Sequence, residues 1–297
     1  MAKLEFTKMH GCGNDYVYVV ALRARPADPA ALAMRVSDRH FGIGGDGLIL
    51  LAPSRVADVR MEMYNADGSR GDMCGNGIRC VARLAYERGI ARKNPMIVET
   101  DAGLKSIELE LKAGAVVGAT VDMGEPILEG REIPVAAGGR IIDYPLEVGG
   151  RVEKITAVSM GNPHCVVFVA GDAIHSMAAW EFARLGRQFE THSFFPRRVN
   201  TEFITPVSRT HLKMRVWERG SGETLACGTG ACAAMVAAVL TGRAERQARV
   251  ELRGGNLDIE WRESGAGANH VFMTGNAVEV FSGEIDLGAA EMVPVKD

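Results

Sequence analysis

An internal repeat constrains this chain more than any other feature of its sequence. The run Cys74-Gly75-Asn76-Gly77 opens one stretch of helix-forming residues, and Cys227-Gly228-Thr229-Gly230 opens another, 153 residues later. Five further pairs of segments match in the same order at nearly the same spacing. These are Gly13–Val19 with Gly161–Val167, Gly47–Pro53 with Asn200–Pro206, Met61–Asn65 with Met214–Glu218, Val98–Thr100 with Val250–Leu252, and Val121–Gly124 with Phe272–Gly275. Solenoid repeats span only ~20–50 residues, so this period indicates a duplicated domain.

The duplication predicts two similar domains related by a pseudo-two-fold axis. We expect one domain at 1–123 plus 277–297 and the other at 124–276. The mixture of strand and helix patterns predicts an α/β chain of the α+β type, in which each domain wraps a curved, mostly antiparallel sheet around a central helix. Ligand sites often lie between domains, so we expect the two Cys-Gly-x-Gly turns to meet there.

Alternating and β-branched runs predict strands in both halves. The predicted strands are Tyr16–Val20, Gly47–Leu51, Arg60–Tyr64, Ile97–Glu99, Ile107–Leu111, Ala115–Val121, Ile155–Val158, Cys165–Val169, Thr201–Ile204, His211–Trp217, Arg249–Glu251 and Leu257–Trp261. Helices are predicted at Pro29–Asp38, Gly75–Arg88, Ala178–Arg187 and Gly228–Thr241. Asp28 is a predicted N-cap, and Gly89 and Gly242 are predicted helix ends. The helix after each cysteine is apolar nearly all round, which predicts that it is buried.

Composition excludes several classes of protein. Of the 297 residues, 47% are hydrophobic and 24% are charged, with a net charge of −3. Without a basic excess we expect no nucleic-acid partner. Without an apolar run of ~20 residues we expect no membrane partner. The N-terminal residues lack the pattern of a secretory signal, so we expect a cytoplasmic protein.

The six cysteines do not predict a disulfide framework or a metal site. Disulfides are rare in cytosolic chains of this size. No C-x-x-C or H-x3-5-H pair occurs, so no zinc site is predicted. Cys80, Cys165 and Cys232 are interpreted as small buried side chains, whereas Cys12 stays ambiguous.

Cys74 and Cys227 are the candidate acid–base groups. A helix N-terminus lowers the pKa of a thiol and binds anions. The neighbouring backbone N–H groups are therefore expected to hold one carboxylate between the two turns. These groups belong to Gly75, Asn76, Gly228 and Thr229. With one thiolate and one thiol, such a site can move a proton from one face of an α-carbon to the other.

Polar residues around these turns also occupy matched positions. Asn14 matches Asn162, and Asn65 matches Glu218. Gly47 matches Asn200, so the halves would give an unsymmetrical substrate unlike contacts. A purely structural explanation stays open for each of them: turns for the asparagines, a solvated pair for Glu218-Arg219, and a structural histidine for His164.

Several runs together resemble diaminopimelate epimerases. They are Gly11–Asp15, Asn65–Ser69, Met73–Cys80, Met160–His164, Glu218–Gly220 and Ala226–Gly230. The resemblance extends from Lys8 to near Gly283. It implies a pyridoxal-independent enzyme without cofactor that converts LL-2,6-diaminopimelate to the meso form, a step toward lysine and peptidoglycan. It also implies two α/β domains with the cysteines at their interface.

The resemblance assigns roles to individual residues. Cys74 and Cys227 match the acid–base pair, and His164 and Glu218 match residues that tune the thiols. The side chains that match substrate contacts are Asn14, Asn65, Asn162, Asn200, Glu218 and Arg219, and the backbone at Gly75-Asn76 and Gly228-Thr229 matches the carboxylate cradle. Arg219 is suited to a distal carboxylate, because its planar fork matches that group. Two positions depart from the family: Gly47 replaces a frequent Gln, and Asn276 replaces a frequent Pro, which affects only a local turn.

Three alternatives remain at this stage. A related two-cysteine racemase could act on another amino acid, although the proline racemases typically have Cys-Gly-His-Gly where this chain has Asn76. The chain could also be an amino-acid sensor on an old enzyme fold, or a thiol-redox protein. Beyond a small amino-acid substrate, the sequence leaves open whether the protein acts as a homodimer.

Overall fold

A computed structural model describes residues 3–286 and 292–295 of the chain. The chain divides into two compact units, Met1–Val121 with Gly275–Asp297 and Asp122–Thr274. These bounds differ by two residues at each boundary from the predicted domains. Residues 1–2, 287–291 and 296–297 of the predicted N-terminal domain lie outside the described residues.

The elements alternate between strands and short helices along the chain. The first part contains β1 Lys3–Gly11, β2 Asn14–Val20, β3 Ala24–Pro26, α1 Pro29–Ser37, β4 Gly47–Ala52, β5 Val59–Asn65, β6 Arg70–Gly71, α2 Gly75–Glu87, β7 Met96–Thr100, β8 Gly103–Lys112 and β9 Ala115–Asp122. The second part contains β10 Tyr144–Val148, β11 Arg151–Ser159, β12 Pro163–Phe168, α3 Ala173–Ser176, α4 Ala179–Glu190, β13 Asn200–Ser208, β14 His211–Glu218, β15 Gly222–Glu223, α5 Gly228–Leu240, β16 Gln247–Leu252, β17 Gly255–Trp261 and β18 Val271–Gly275. The last two strands are β19 Val278–Asp286 and β20 Met292–Pro294.

Within the first unit the sheet surrounds α2. Its strands follow the order β19, β1, β2, β4, β5, β7, β8, β9. The β2–β4 and β5–β7 pairs are parallel, and the other pairs in this order are antiparallel. Helix α2 contacts six of these strands. The predicted sheet around a central helix is therefore confirmed for this unit.

The second unit repeats this topology. Its strands follow the order β10, β11, β12, β13, β14, β16, β17, β18, and β12–β13 and β14–β16 are the parallel pairs. The registers repeat as well, because Tyr16 lies opposite Gly47 in one unit and His164 lies opposite Asn200 in the other. Helix α5 contacts five of these strands. The duplication seen in the sequence is thus a duplication of the fold.

Each predicted strand and helix is present, with small differences at the ends. Asp28 caps α1 by accepting from the Ala31 N–H at 3.0 Å. Gly89 and Gly242 follow α2 and α5, and both have a φ of +70°, which explains why glycine ends each helix. Val169 lies beyond β12, where its strand was predicted to end. No helix in the described part of the chain is long and apolar enough to cross a membrane.

The two central helices differ from each other in one respect. Most residues of α5 are buried and apolar, as predicted. Helix α2 is also mostly buried, but it carries Arg79, whose side chain is 0% exposed. The prediction that both helices are apolar nearly all round is therefore wrong for α2. A buried guanidinium requires several hydrogen-bond acceptors, and the structure supplies them at the first turn of the helix.

Candidate active site

Cys74 is the N-cap of α2 and is half-buried. The Gly77 N–H donates to its sulfur at 3.3 Å, in the way a serine or aspartate cap accepts from the third helical residue. Its thiol also faces Asn14 Oδ1 at 3.1 Å. The sulfur therefore has a donor on one side and an acceptor on the other.

Asn14 is fixed by a charged network behind it. Its Nδ2 donates to Asp46 Oδ2 at 2.7 Å, which leaves Oδ1 directed at the sulfur of Cys74. Arg39 pairs with Asp46 at 3.0 Å and also with Asp15 at 2.7 Å. Asp46 was not predicted from the sequence, although it sets the orientation of a predicted side chain.

Asn65 lies at the end of β5 and is joined to the same network through the backbone. The next residue, Ala66, donates its N–H to the Asp46 carbonyl at 3.0 Å. The Asn65 side chain itself donates to Ser69 Oγ at 2.9 Å within a tight turn. Opposite Asn65 in the sheet, Gly47 leaves no room for a side chain, since a Cβ there would lie 2.1 Å from the Tyr64 carbonyl oxygen.

The first turn of α2 is stabilised by Arg79. Its guanidinium donates to the Gly75 carbonyl at 3.1 Å, to Asn76 Oδ1 at 2.9 Å and to the Asn276 carbonyl at 3.0 Å. The Asn76 side chain is therefore buried, and only its backbone is available to a ligand. Helix geometry leaves the N–H groups of Gly75 and Asn76 without intrahelical acceptors. Each can donate to an anion.

Asn276 does more than form a local turn, which corrects the expectation from the sequence. Its Oδ1 accepts from the Cys12 N–H at 3.0 Å, and Cys12 has a φ of +53°. Cys12 is 0% exposed, and burial raises the pKa of its thiol. We conclude that Cys12 is a buried side chain of the turn that leads to Asn14.

Cys227 occupies the matching N-cap of α5. It accepts from the Gly230 N–H at 3.4 Å and lies 3.5 Å from Thr229 Oγ1. In contrast to Cys74, it is buried, at 5% exposed. The N–H groups of Gly228 and Thr229 are the two left without intrahelical acceptors, as at the first turn of α2.

Two carboxylates lie close to Cys227. Glu218, at the end of β14, accepts from Thr224 Oγ1 at 2.5 Å, and burial raises its pKa while hydrogen bonds with Thr224 and Cys227 oppose the rise. Glu202, on β13, is 0% exposed. A Cβ at Gly230 would lie 2.5 Å from Glu202 Oε1, so this carboxylate lies directly beneath the helix turn.

Glu202 is paired with His164. The two side chains meet at 2.7 Å between Nδ1 and Oε1, both fully buried, and the other ring nitrogen lies 3.0 Å from Asn162 Oδ1. Within the described part of the chain, Glu202 Oε2 has no hydrogen-bond partner. The predicted residues His164 and Asn162 therefore form one network with Glu202, which the sequence reasoning missed.

This environment outweighs the expected effect of the helix N-terminus on the pKa of Cys227. Burial raises the pKa of the Cys227 thiol well above its usual value, and the nearby charges of Glu218 and Glu202 raise it further. Hydrogen bonds from Thr229 and the Gly230 N–H act in the opposite direction but are smaller. A lowered pKa was expected at both cysteines, and for Cys227 that expectation is wrong.

Asn200, at the start of β13, and Arg219, just after β14, lie together in the second unit. Asn200 Oδ1 accepts from the Arg219 backbone N–H at 2.8 Å. The Arg219 side chain is exposed and donates to the Arg197 carbonyl at 3.1 Å. Its guanidinium is therefore accessible to an anionic group.

The predicted residues thus form two clusters, one in each unit. The first cluster contains Cys74, Asn14, Gly75 and Asn76, and Asn65 is joined to it through Asp46. The second cluster contains Cys227, Glu218, His164 and Asn162, with Gly228 and Thr229 at the helix start. Asn200 lies opposite His164 in the sheet, and Arg219 follows Glu218 in the chain. The other cysteines predicted to be buried, Cys80, Cys165 and Cys232, are each 0% exposed. Among the described residues, no group of three or more His, Cys, Asp or Glu side chains could hold a metal ion.

Sequence comparison decides the family. The family model described as diaminopimelate epimerase matches residues 6–129 and 156–280. The chain belongs to the diaminopimelate epimerase family. A curated diaminopimelate epimerase of Desulfovibrio desulfuricans is 54% identical over 288 residues, which cover 95% of this chain and 98% of the relative. The two matched segments correspond to the two repeats, each with its own Cys-Gly-x-Gly turn.

Solved structures share the fold at low sequence identity. A phenazine biosynthesis protein of the PhzF family from Bacillus anthracis has a TM-score of 0.69 at 18% identity, with 97% of this chain and 100% of that chain covered. A probable proline racemase from Agrobacterium radiobacter has a TM-score of 0.66 at 15% identity, with 96% and 93% covered. These similarities establish the two-repeat α+β fold that diaminopimelate epimerases share with other proteins.

Proposed function

We propose that this protein is an isomerase that interconverts LL- and meso-2,6-diaminopimelate, a step toward lysine and peptidoglycan precursors. Membership of the diaminopimelate epimerase family supports this substrate, since a relative with that name is 54% identical across nearly the whole chain. The observation that carries the mechanism is the pair of matched thiols. Cys74 and Cys227 each cap a helix whose first N–H groups are available to an anion.

In the proposed reaction the two thiols exchange protonation states. The thiolate of one cysteine removes the α-proton from one face of the substrate carbon, and the thiol of the other donates a proton to the opposite face. One proton leaves and one arrives, so the substrate is inverted and the two cysteines have swapped roles. The reverse reaction begins from the swapped state, and its steps are proton transfers only.

The helix N-termini supply the electrostatic stabilisation that this chemistry needs. A thiolate whose thiol has a pKa of ~8.5 is a weak base for removing an α-proton. The negative charge that develops on the substrate must therefore be stabilised. The N–H groups of Gly75, Asn76, Gly228 and Thr229 are suited to the substrate carboxylate, toward which charge is delocalised in the transition state. His164 and Glu218 are proposed to tune the thiol of Cys227, from the contacts described above.

We test the function by incubating the protein with LL-diaminopimelate in deuterated water. Since the incoming proton comes from a solvent-exchanged thiol, the meso product should carry one deuterium, at one α-carbon. The Cys74→Ala protein is the control and should form no meso product. Turnover of another amino acid, with LL-diaminopimelate left unchanged, would favour a related racemase instead.

Specificity for the distal end of the substrate is proposed to come from Arg219, with Asn65, Asn162 and Asn200 completing the polar contacts. A site built to pair a charged group rejects analogues without that group, because its own polar groups are left unpaired. Lysine lacks the distal carboxylate, so its turnover should be at least ~10³-fold less efficient. Arg219→Ala should raise KM for diaminopimelate, while Arg209→Ala, which removes another exposed arginine, should not. Equal turnover of lysine and diaminopimelate would contradict this assignment.

We also propose a cytoplasmic location, where a reducing environment keeps both thiols active. All six cysteines, which lie among the described residues, are thiols in the structure. Two thiols that flank one carbon could form a disulfide when substrate leaves. Oxidation should therefore inactivate the enzyme reversibly, and peptide mapping of the inactive protein should recover Cys74 linked to Cys227. Recovery of both as unlinked thiols would contradict the two-base proposal.

A further inference from the structure

Asp46 is held in place by the ends of three strands. It lies just before β4, and its backbone N–H donates to the Asp15 carbonyl at 2.6 Å, at the start of β2. Its own carbonyl accepts from the Ala66 N–H, just after β5, at 3.0 Å. Its carboxylate accepts from the Asp15 N–H at 3.1 Å and pairs with Arg39 at 3.0 Å. The bonds of both its backbone and its side chain therefore fix the position of this carboxylate.

The fixed carboxylate determines which end of the Asn14 amide faces Cys74. A carboxylate paired with an arginine has no hydrogen to donate, so it can bind only the NH2 end of an amide. Asp46 Oδ2 lies 2.7 Å from Asn14 Nδ2. The other end of the same amide is then its oxygen, and this oxygen lies 3.1 Å from the Cys74 sulfur.

The direction of the Asn14 amide affects the two states of the Cys74 thiol in opposite ways. A thiol can donate its hydrogen to the amide oxygen, whereas a thiolate would face that oxygen as a second negative atom. A hydrogen bond to the neutral form of a group disfavours its charged form. The amide nitrogen in the same place would have the opposite effect, because it would donate to the thiolate. The contact between Asp46 and Asn14 therefore favours the protonated form of Cys74.

We propose that Asp46 is a positioning residue that, through Asn14, favours the protonated form of Cys74 and so keeps this thiol ready to act as the acid of the reaction. Asp46 acts through the direction of the amide rather than on the sulfur itself. The inference rests on the proposed acid–base role of Cys74, and it adds the residue that sets the protonation of this thiol.

The second repeat holds its matching asparagine by the other end. Asn162 matches Asn14, but the position that matches Asp46 is Val199, which has no polar side chain. Asn162 directs its Oδ1, rather than its Nδ2, at its partner, the His164 ring, at 3.0 Å. The backbone that the two repeats share therefore does not fix the direction of the amide. In the first unit Asp46 does so.

The test compares two replacements of Asp46 by the pH dependence of Cys74 alkylation, measured with iodoacetamide and mass spectrometry of the Cys74 peptide. Asp46→Ala removes the acceptor, so the Asn14 amide can turn its nitrogen toward the thiolate. The midpoint of the profile should fall by about one pH unit, which is about a tenfold larger thiolate fraction at neutral pH.

Asp46→Asn removes the charge but keeps an oxygen that accepts from Asn14 Nδ2 and from the Asp15 N–H. The midpoint in this variant should fall by no more than about 0.3 pH unit, because the charge of Asp46 is already paired with Arg39. Equal shifts in the two variants would show that only the charge matters and would overturn the inference. An unchanged profile in Asp46→Ala would overturn it as well.

The other groups around this thiol that titrate or carry charge are the same in both variants. They are Tyr16 and Tyr18 on β2, Arg79 and Cys80 on α2, and Asp72, which precedes Cys74 by two residues. From β4 and β5, the apolar side chains of Ile49 and Met61 lie beneath Gly77 in the first turn of α2. A difference between the two profiles therefore comes from position 46.

Asp101→Asn is the control for loss of a carboxylate elsewhere in the first unit. Asp101 pairs with Arg60 and Arg70, and its replacement should leave the profile of Cys74 in place. Should Asp46→Ala fail to fold, neutron diffraction from crystals of the unmodified protein locates the two hydrogens of the Asn14 amide. They should lie toward Asp46, and hydrogens toward Cys74 would contradict the inference. Because neither measurement needs a substrate, the result is independent of which amino acid the enzyme uses.

Discussion

The two cysteine turns share a backbone design but differ in the charge around them. At Cys74 the residues that match across the repeat are Tyr16, Ile49 and Asn65, all of them neutral. At Cys227 the matching residues are His164, Glu202 and Glu218, which bring two carboxylates and a histidine to the thiol. Cys227 is also the more deeply buried of the two. Duplication fixed the position of the sulfur, and later substitution changed its surroundings.

This difference shows how a symmetric scaffold can handle an unsymmetrical reaction. Each sulfur has a backbone donor, Gly77 or Gly230. The Cys74 thiol also contacts the neutral amide of Asn14, whereas the charges of Glu218 and Glu202 lie close to the Cys227 thiol. Nearby negative charge favours the protonated thiol more strongly than a neutral amide does. The two thiols therefore respond differently to pH even though their turns are alike.

The largest effect on activity is expected when either sulfur is removed, because this abolishes the pair of matched thiols. Cys74→Ala and Cys227→Ala should each reduce epimerisation by at least ~10³-fold, because each face of the carbon needs its own acid–base group. Serine at either position should restore only a trace, since a hydroxyl is a far weaker acid than a thiol. The measurement is the rate of meso product formation. Near-normal activity in either alanine variant would mean that one cysteine suffices and that the repeat is only structural.

A tenfold effect on the alkylation rate of Cys227 is expected when the charge around this thiol is made more like that around Cys74. Glu218→Gln removes one of the two carboxylates that raise the pKa of the Cys227 thiol. The pKa should fall, so the thiolate fraction at pH 8 should rise, and alkylation of Cys227 should become about tenfold faster if the pKa falls by one unit. Glu245→Gln, at an exposed site, is the control. Slower alkylation in Glu218→Gln would show that Glu218 activates the thiol rather than keeping it protonated.

The smallest expected effect is on stability, and it compares the side chains that pack beneath the two helix turns. A Cβ at Gly77 would lie 2.7 Å from Ile49 Cδ1, the end of a flexible side chain, whereas at Gly230 it would lie 2.5 Å from Glu202 Oε1, which His164 holds. Gly77→Ala should cost about 1 kcal/mol or less, because helix propensity offsets part of the overpacking. Gly230→Ala should cost about 2–3 kcal/mol, because it also disturbs a buried charged hydrogen bond. Urea unfolding measures both, and equal losses would refute the distinction.

The sequence was sufficient to predict most of the repeated elements and to place Cys74 and Cys227 at helix N-termini. Both copies carry the same helix-ending glycine, so Gly89 and Gly242 each follow a helix end as expected, and Asp28 caps α1 as predicted. Several strands were not predicted, among them β1 and β19. These two pair with each other although they lie at opposite ends of the chain, with Lys3 opposite Asp286. No local pattern in either segment predicts a partner so distant in sequence.

The missed site residues have a common cause. Glu202 is the one charged residue of β13, and its identity is plain from the sequence. The sequence does not show how closely the first turn of α5 packs against Glu202. That distance decides whether the charge of Glu202 acts on Cys227. The same holds for Arg79, because periodicity assigns a residue to a face but not to the atom that it meets there.

The segment after Gly275 has a consequence for how the protein is made. The second unit is one continuous stretch, Asp122–Thr274, whereas the first also needs residues from Gly275 onward. Strand β19 covers β1, and Asn276 binds both Cys12 and Arg79, which support the turns that carry Asn14 and Cys74. Domains generally fold as units during synthesis. During synthesis, the Cys227 turn can therefore form before the Cys74 turn is complete. The Cys74 turn is encoded earlier, but it needs the later strand β19 for its support.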